Sequence, residues 1–478
     1  MEIFLTSVVH FAFVLCIGYY FMTAMQWYSY RLERILFHYN RYDWHLYFFI
    51  FPLFAYYLLD GIVLYCFSIL LIIALSLWNK KNDKKLVFTA RVKRFFLFLI
   101  FATLFQNTLC LTYISCQKFG IVIPLGLAQL LSMIFEKILF ESYKKEAFHK
   151  VMQRSSMKVI AITASYGKTS IKNFLAQILS KQFLVYKTPR SVNTIGGIIK
   201  DINTDLPQAC DVYIVEAGAR LKGDIDAIAR LVNPHIAIVG RIGAQHIEYF
   251  KTLENIRNTK MEMIHSNRLE KAFVHESAQV KASETVVCFG DDLKDVEATL
   301  DGVKFTMVID GKEERFFSPL LGDFNAINLG VCIHVAKELG MRLEAIKEAI
   351  KELKGVEHRL QKIEAGGKVI IDDSFNGNLE GMLSSYALVA SYAGRKVIVT
   401  PGIVESTVEA NALLAQTIDD VFDLVIITGK SNAAILGLHV KKAQKIVLAD
   451  KSQLQTVLAE QTHVGDLILF SNDAPSFI

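Results

Sequence analysis

At 478 residues, with 52% hydrophobic and 11% aromatic side chains, the chain is too long for one small domain and rich in apolar residues for a wholly soluble protein. A net charge of +5, much of it flanking apolar runs, argues against nucleic acid as a partner. The seven cysteines include no C-x-x-C pair and no Cys/His spacing suited to zinc.

Residues 3–25 form an uncharged apolar run of spanning length with no small-residue cleavage site, so they read as a retained membrane helix. Residues 46–78 are interrupted only by Asp60-Gly61. One helix of that length would measure about 50 Å against a hydrocarbon core of about 30 Å, so two short spans hinged at Asp60-Gly61 are predicted. Residues 95–116 and 119–135 follow, with a tight hairpin at Gln117-Lys118. Lys and Arg crowd segments 79–94 and 141–158, which predicts that both face the cytoplasm. The expectation is four or five spans, five favoured, with the N-terminus outside. The protein is then a multi-pass protein of the inner (cytoplasmic) membrane with its catalytic domains in the cytoplasm.

After residue 158 the pattern changes to short β-branched runs: "KVIAIT", "DVYIVEAG", "HIAIVG", "KVIIDD", "RKVIVT", "DLVIIT" and "KIVLAD". Runs of this kind separated by amphipathic segments predict parallel strands covered on both faces. A helical stretch from 325 to 353, broken at Gly340, separates two sets of strands and places a boundary near Lys354-Gly355.

Within "KVIAITASYGKTSIKNFLAQIL" a strand, a loop and a helix follow one another. Ala164, Ser165, Tyr166, Gly167, Lys168, Thr169 and Ser170 form the loop and helix start. There backbone N–H groups face an anion, Lys168 reaches terminal phosphates and Thr169 holds a magnesium ion. The common pattern G-x-x-x-x-G-K-[ST] requires glycine where Ile162 stands. The shorter G-x-x-G-K-[ST] fits, with Ala164 its one departure.

That shorter loop belongs to the Mur ligase family of ATP-dependent amide-bond-forming enzymes, and the chain resembles the family from 158 to 478. "YIVEAGARLKGDI", "IGAQHIEYFKTLENIRNTKMEMI", "LLGDFNAINLG", "GVEHRLQKIEAGGKVIIDDSFNGN" and "TPGIVES" appear in the family's order. "DDSFNGN" looks most like D-D-S-Y-N-A-N-P of the members that add D-alanyl-D-alanine to UDP-N-acetylmuramoyl-tripeptide, with Phe375, Gly377 and Leu379 departing from it.

The apolar runs predict an N-terminal α-helical membrane region (1–140) and a cytoplasmic linker (141–157), standing where the family usually has a UDP-binding domain; the resemblance implies a central P-loop parallel-sheet ATPase domain (158–354) and a C-terminal Rossmann-like α/β domain (355–478). It implies ATP and Mg2+ as cofactors, with Thr169 and Glu216 on one magnesium, and His246 and a carbamylated Lys260 on a second. Lys168, Glu216, His246 and Lys260 become the catalytic set. Asn325 and Asn328 fall near adenine, although N-capping of their helix is a rival role for Asn325. Arg359 reaches the phosphates with Asn376 near them, and Asp373 reaches the ribose. Asn193 and Thr194 face the muramoyl-peptide. Arg220 is a candidate for a substrate carboxylate or for a surface salt bridge. UDP-muramoyl-peptide, D-alanyl-D-alanine, the lipid bilayer and neighbouring wall-synthesis enzymes are the implied partners. Another amide ligase of the superfamily, or a membrane nucleotide-binding protein without ligase activity, would share many of these features.

Overall fold

The computed structural model describes residues 2–30, 32–37, 42–82, 84–114, 120–245, 247–375, 377–403, 406–448 and 450–472. The chain divides into two compact units, Met1–Tyr143 and Lys144–Ile478.

Among the described residues four helices are long and apolar enough to cross a membrane: Phe4–Trp27, Gly61–Lys81, Ala90–Thr112 and Val122–Met152. The 46–78 run is broken where expected. Leu59 and Asp60 are extended and Gly61 takes φ +52°, so helix Phe51–Leu58 stops and helix Gly61–Lys81 starts afresh. The helical stretch 42–58 is shorter than the four. All three tryptophans of the chain, Trp27, Trp44 and Trp78, pack together at centroid distances of 5.5–5.9 Å. The Gln117-Lys118 hairpin lies outside the described residues.

In the second unit, the strands read from the sequence form where the apolar runs are doubly covered. The first sheet comprises β1 (Lys158–Thr163), β2 (Val185–Lys187), β3 (Val212–Glu216), β4 (Ile236–Val239), β5 (Lys271–His275) and β6 (Val286–Phe289). They run parallel in the order β2-β3-β1-β4-β5-β6. Successive side chains of a strand point to opposite faces. Ile160, Ile162, Ile214 and Ile238 therefore join a core with helices Lys168–Leu179 and Phe324–Glu338. Val159, Ala161, Val215 and Val239 join another with helices Ile195–Thr204 and Asp224–Val232. Within the expected linker, Ala147 and Val151, one helical turn apart, are buried in that second core.

Three antiparallel strands follow, not read from the sequence any more than β2, β5 and β6 were: β7 (Leu293–Thr299), β8 (Gly302–Ile309) and β9 (Lys312–Ser318). The remaining strands are β10 (Gln361–Ala365), β11 (Lys368–Asp373), β12 (Lys396–Thr400), β13 (Leu424–Ile427), β14 (Gln444–Val447) and β15 (Leu467–Ser471). Their order is β10-β11-β15-β12-β13-β14, with only β10 antiparallel. The α/β layering is as expected, but the order differs from the 3-2-1-4-5-6 of a dinucleotide-binding Rossmann sheet, because the last strand inserts between β11 and β12.

Candidate active site

β1 lies between β3 and β4, and a crevice opens outside the carboxyl ends of strands at such a switch point. Ile162 pairs with Glu216 and Thr163 with Val239, so the three strand ends are level. The loop after β1 is laced to the segment after β4: Ser165 N–H donates to Arg241 O at 2.8 Å and Ser165 Oγ to Gly243 O at 3.0 Å. Gly167 takes φ +83°, and a β-carbon there would come within 2.5 Å of Asn328 Oδ1. Only glycine fits. Ala164 has no positive φ, and its methyl sits against Gly240. Replacing Ala164 with Gly is therefore expected to leave ATP affinity, measured by calorimetry, within about threefold, since the Cβ strains nothing.

Two ammonium groups converge on one carbonyl. Lys168 Nζ donates to Ala164 O at 2.6 Å, Ser165 O at 3.1 Å and Gln245 Oε1 at 3.3 Å. Burial pushes it down to about 8, opposed by Glu216 and reinforced by Arg359. Lys260, from helix Leu253–Met261, donates to the same Ala164 O at 2.8 Å. It is buried, and burial first, then Lys168, hold it well below the ordinary lysine value. A lysine so placed is readily neutral, the form that reacts with carbon dioxide.

Glu216 closes β3 with its carboxylate buried. Its Oε1 accepts from Thr169 Oγ1 and from Asn193 Nδ2, both at 3.2 Å, while Oε2 lies 2.9 Å from Lys172 Nζ. Thr169 and Glu216 thus present adjacent hard oxygens, the donor type that suits Mg2+. Among the described residues no group of three or more His, Cys, Asp or Glu is placed to hold a metal, so a cation here must complete its shell with phosphate and water, as Mg2+ ordinarily does. His246 lies outside the described residues.

Asn325 and Asn328 open helix Phe324–Glu338. Asp323 caps that helix, not Asn325. Asn325 Nδ2 donates to Leu321 O at 2.7 Å and its Oδ1 accepts from Asn328 Nδ2 at 3.0 Å. A cavity of about 280 Å³ beside them is lined by Phe174, Pro319, Asn325, Gly355, Arg359 and Gln361 among others. Arg359 is flanked by His358 at φ +62° and Leu360 at φ +50°, left-handed positions that non-glycine residues rarely occupy. Asp372, fully buried, holds His358 Nδ1 at 2.7 Å and accepts from Ser374 Oγ at 2.5 Å. Asp373 points the other way, accepting from Ser385 Oγ at 2.7 Å. Burial lowers the Arg359 pKa, with Asp373 and Glu216 opposing.

The Arg359 guanidinium lies 4.7 Å from the ring centroid of Phe375, whose exposed face it covers. Such a contact is worth about 0.5–1 kcal/mol when exposed. Phe375→Leu is expected to raise the KM for ATP by about two- to fivefold, in steady-state kinetics, while Phe375→Tyr leaves it unchanged. Asn376 lies outside the described residues.

Two of the residues expected to face the acceptor also make contacts within the chain. Asn193 spends its amide on Glu216, Thr194 Oγ1 caps its helix by accepting from Gly197 N–H at 3.3 Å, and Arg220 is exposed, with no side-chain ion pair among the described residues. Sequence reasoning passed over Lys172, His358 and Ser374. Only Lys172 carried a signal, standing four residues after Lys168 and so on the same helix face.

Residues 162–336 match the Mur ligase middle domain. The chain is 29% identical over 342 residues to the UDP-N-acetylmuramoyl-tripeptide–D-alanyl-D-alanine ligase of Bacillus subtilis, covering 67% of this chain and 74% of that one. It is 28% identical over 348 residues to the Escherichia coli enzyme of the same name, covering 68% and 76%. The MurF ligase from Thermotoga maritima, in complex with ADP, shares the fold at a TM-score of 0.61 over 70% of this chain and 80% of that one, with 24% identity. The chain thus carries a Mur ligase middle domain at its centre and is similar, over about two thirds of its length, to these ligases.

Proposed function

We propose that the chain is an ATP-dependent ligase that joins D-alanyl-D-alanine to UDP-N-acetylmuramoyl-tripeptide for peptidoglycan synthesis, and that its first unit sits in a bilayer. The observation that carries the chemistry is the meeting of Lys168, Thr169, Glu216 and buried Lys260 around one loop at the carboxyl end of β1. The two ligase relatives, each covered over about three quarters of its length, support the substrates.

In the first step the terminal carboxylate of the muramoyl-tripeptide attacks the γ-phosphorus of ATP, giving an acyl phosphate and ADP. In the second the neutral amine of D-alanyl-D-alanine attacks the acyl carbon, inorganic phosphate leaves with the C–O bond electrons, and the nitrogen gives up one proton to water as the amide forms. Lys168 and Arg359 neutralise charge on the transferred phosphoryl group. Thr169 and Glu216 would hold one Mg2+, and His246 with Lys260 as its carbamate a second; bound Mg2+ supplies further charge neutralisation. Lys260 reaches the carbamate when its neutral amine adds to carbon dioxide and releases a proton. Asn325 and Asn328 face adenine, and Asp373 the ribose. Asn193, Thr194 and Arg220 lie on the acceptor side, and Asn376 near the phosphates. Residues 355–478 close over nucleotide held by residues 158–354.

In the bilayer, the basic segments 79–94 and 141–158 face the cytoplasm, and stretch 42–58 crosses as well as the four longer helices. An odd number of crossings puts the N-terminus outside and the α/β unit in the cytoplasm.

The test is phosphate release by the purified full-length chain given ATP, UDP-N-acetylmuramoyl-tripeptide and a panel of amino acids and dipeptides. Release that requires D-alanyl-D-alanine is expected. Release dependent on a different amine, or on none, would sink the assignment.

A further inference from the structure

Lys172 lies one helical turn beyond Lys168, where an amphipathic helix ordinarily shows a lysine to water. Instead it is 1% exposed, as is the Glu216 carboxylate 2.9 Å from its Nζ. Besides this ion pair, its ammonium donates a hydrogen bond to the carbonyl oxygen of Arg190, a residue at φ +46° in the loop between β2 and helix Ile195–Thr204. Burying a lysine and a carboxylate is costly unless geometry and further hydrogen bonds compensate, so a pair this deep needs a reason. The surrounding bonds supply one. Glu216 turns Oε1 to Thr169 and Asn193, and Oε2 to Lys172. The same loop is sewn to the end of β3 twice more: Glu216 N–H donates to Thr188 Oγ1 at 3.1 Å, and Gly218 N–H to Asn193 O at 2.8 Å.

We propose that Lys172 is a positioning residue: it holds the Glu216 carboxylate with one oxygen turned to Thr169, and it ties that carboxylate to the 188–194 loop, so that loop and metal site act as one unit. An acceptor that orders the loop thereby favours the Glu216 orientation that takes the cation, and the cation favours the ordered loop, since such coupling is reciprocal. The inference rests on the ligase reading only for the identity of that acceptor.

The test uses the full-length chain with Mn2+ and ADP as probes. Mn2+ affinity in the presence of ADP is measured by electron paramagnetic resonance titration, and hydrogen exchange is followed over 188–194 and over helix Phe324–Glu338. Lys172→Met and Lys172→Gln are expected to weaken Mn2+ binding by about 10–100-fold, the usual cost of losing a partner behind a metal ligand. Exchange should quicken in 188–194 and stay unchanged in the helix. Lys187→Met, whose ammonium donates to Asn173 instead, should leave both readings native. Either Lys172 variant folded with native Mn2+ affinity and native exchange would overturn the proposal. So would failure of both to fold, which would assign Lys172 to the fold alone. No acceptor is needed, so the result stands apart from whether phosphate release requires D-alanyl-D-alanine.

Discussion

Lys168→Met is expected to lower kcat by about 10³-fold or more, with the unfolding midpoint within a few degrees of wild type. The methionine keeps the volume of the stem and removes the cation. Lys168 makes its three hydrogen bonds to the loop and to Gln245, all of them at the mouth where phosphate would be cradled, so its loss removes charge where charge develops. Burial holds the pKa of this lysine down at about 8, with Glu216 opposing. A preorganised cation in such a place is worth far more than in solvent. Stopped-time phosphate assays together with thermal unfolding check both halves, and a variant retaining a tenth of wild-type kcat would remove Lys168 from the reaction.

Lys260→Met should cost roughly 10²-fold or more in kcat, the scale of losing an electrostatic group at the reacting phosphate. The same residue predicts a dependence on carbon dioxide. The direction follows from burial: desolvation and the neighbouring Lys168 disfavour the ammonium, so the neutral amine is populated at pH values where an exposed lysine is almost wholly protonated. Wild-type enzyme depleted of carbon dioxide should lose activity and regain it on addition of bicarbonate, while Lys260→Met should not respond. Wild type indifferent to bicarbonate would remove the carbamate and leave Lys260 as a cation donating to Ala164 O.

The parts of the fold that could be read in advance are those where one local pattern has one physical solution. "KVIAIT" and "YIVE" are continuous apolar runs because both faces of their sheet are covered, and they became β1 and β3. Asp60-Gly61 interrupts an apolar run too long for one span, and the helix breaks there. Glu216 was legible as a strand-end carboxylate beside a phosphate loop. Strands β7 and β9 were not, because "LKDVEAT" and "KEERFFS" carry charge through a half-exposed sheet and offer no long apolar run. Nor was the order of the second sheet, since nothing local in β15 says that it inserts between β11 and β12.

The site divides in the same way. Loop residues 164–170 follow from a strand, a glycine and a helix start, whereas the support behind them depends on contacts distant in sequence. Lys172 reads as a surface lysine until β3 and the 188–194 loop are placed against it. The bond from the Asn193 amide to Glu216 likewise has no local signal, because it joins two segments distant in sequence. The left-handed backbone on both sides of Arg359 leaves no mark in "EHRLQ", because His and Leu are not residues that announce a positive φ.

Oxygen-isotope transfer tests the central claim most directly. UDP-N-acetylmuramoyl-tripeptide labelled with 18O in its terminal carboxylate is turned over with ATP and D-alanyl-D-alanine, and the released phosphate is analysed by mass spectrometry. An acyl phosphate formed at this site places one 18O from the carboxylate in each phosphate released. Phosphate carrying no label, its new oxygen drawn from water, would mean that the chain hydrolyses ATP without activating a carboxylate, and the ligase account would fall.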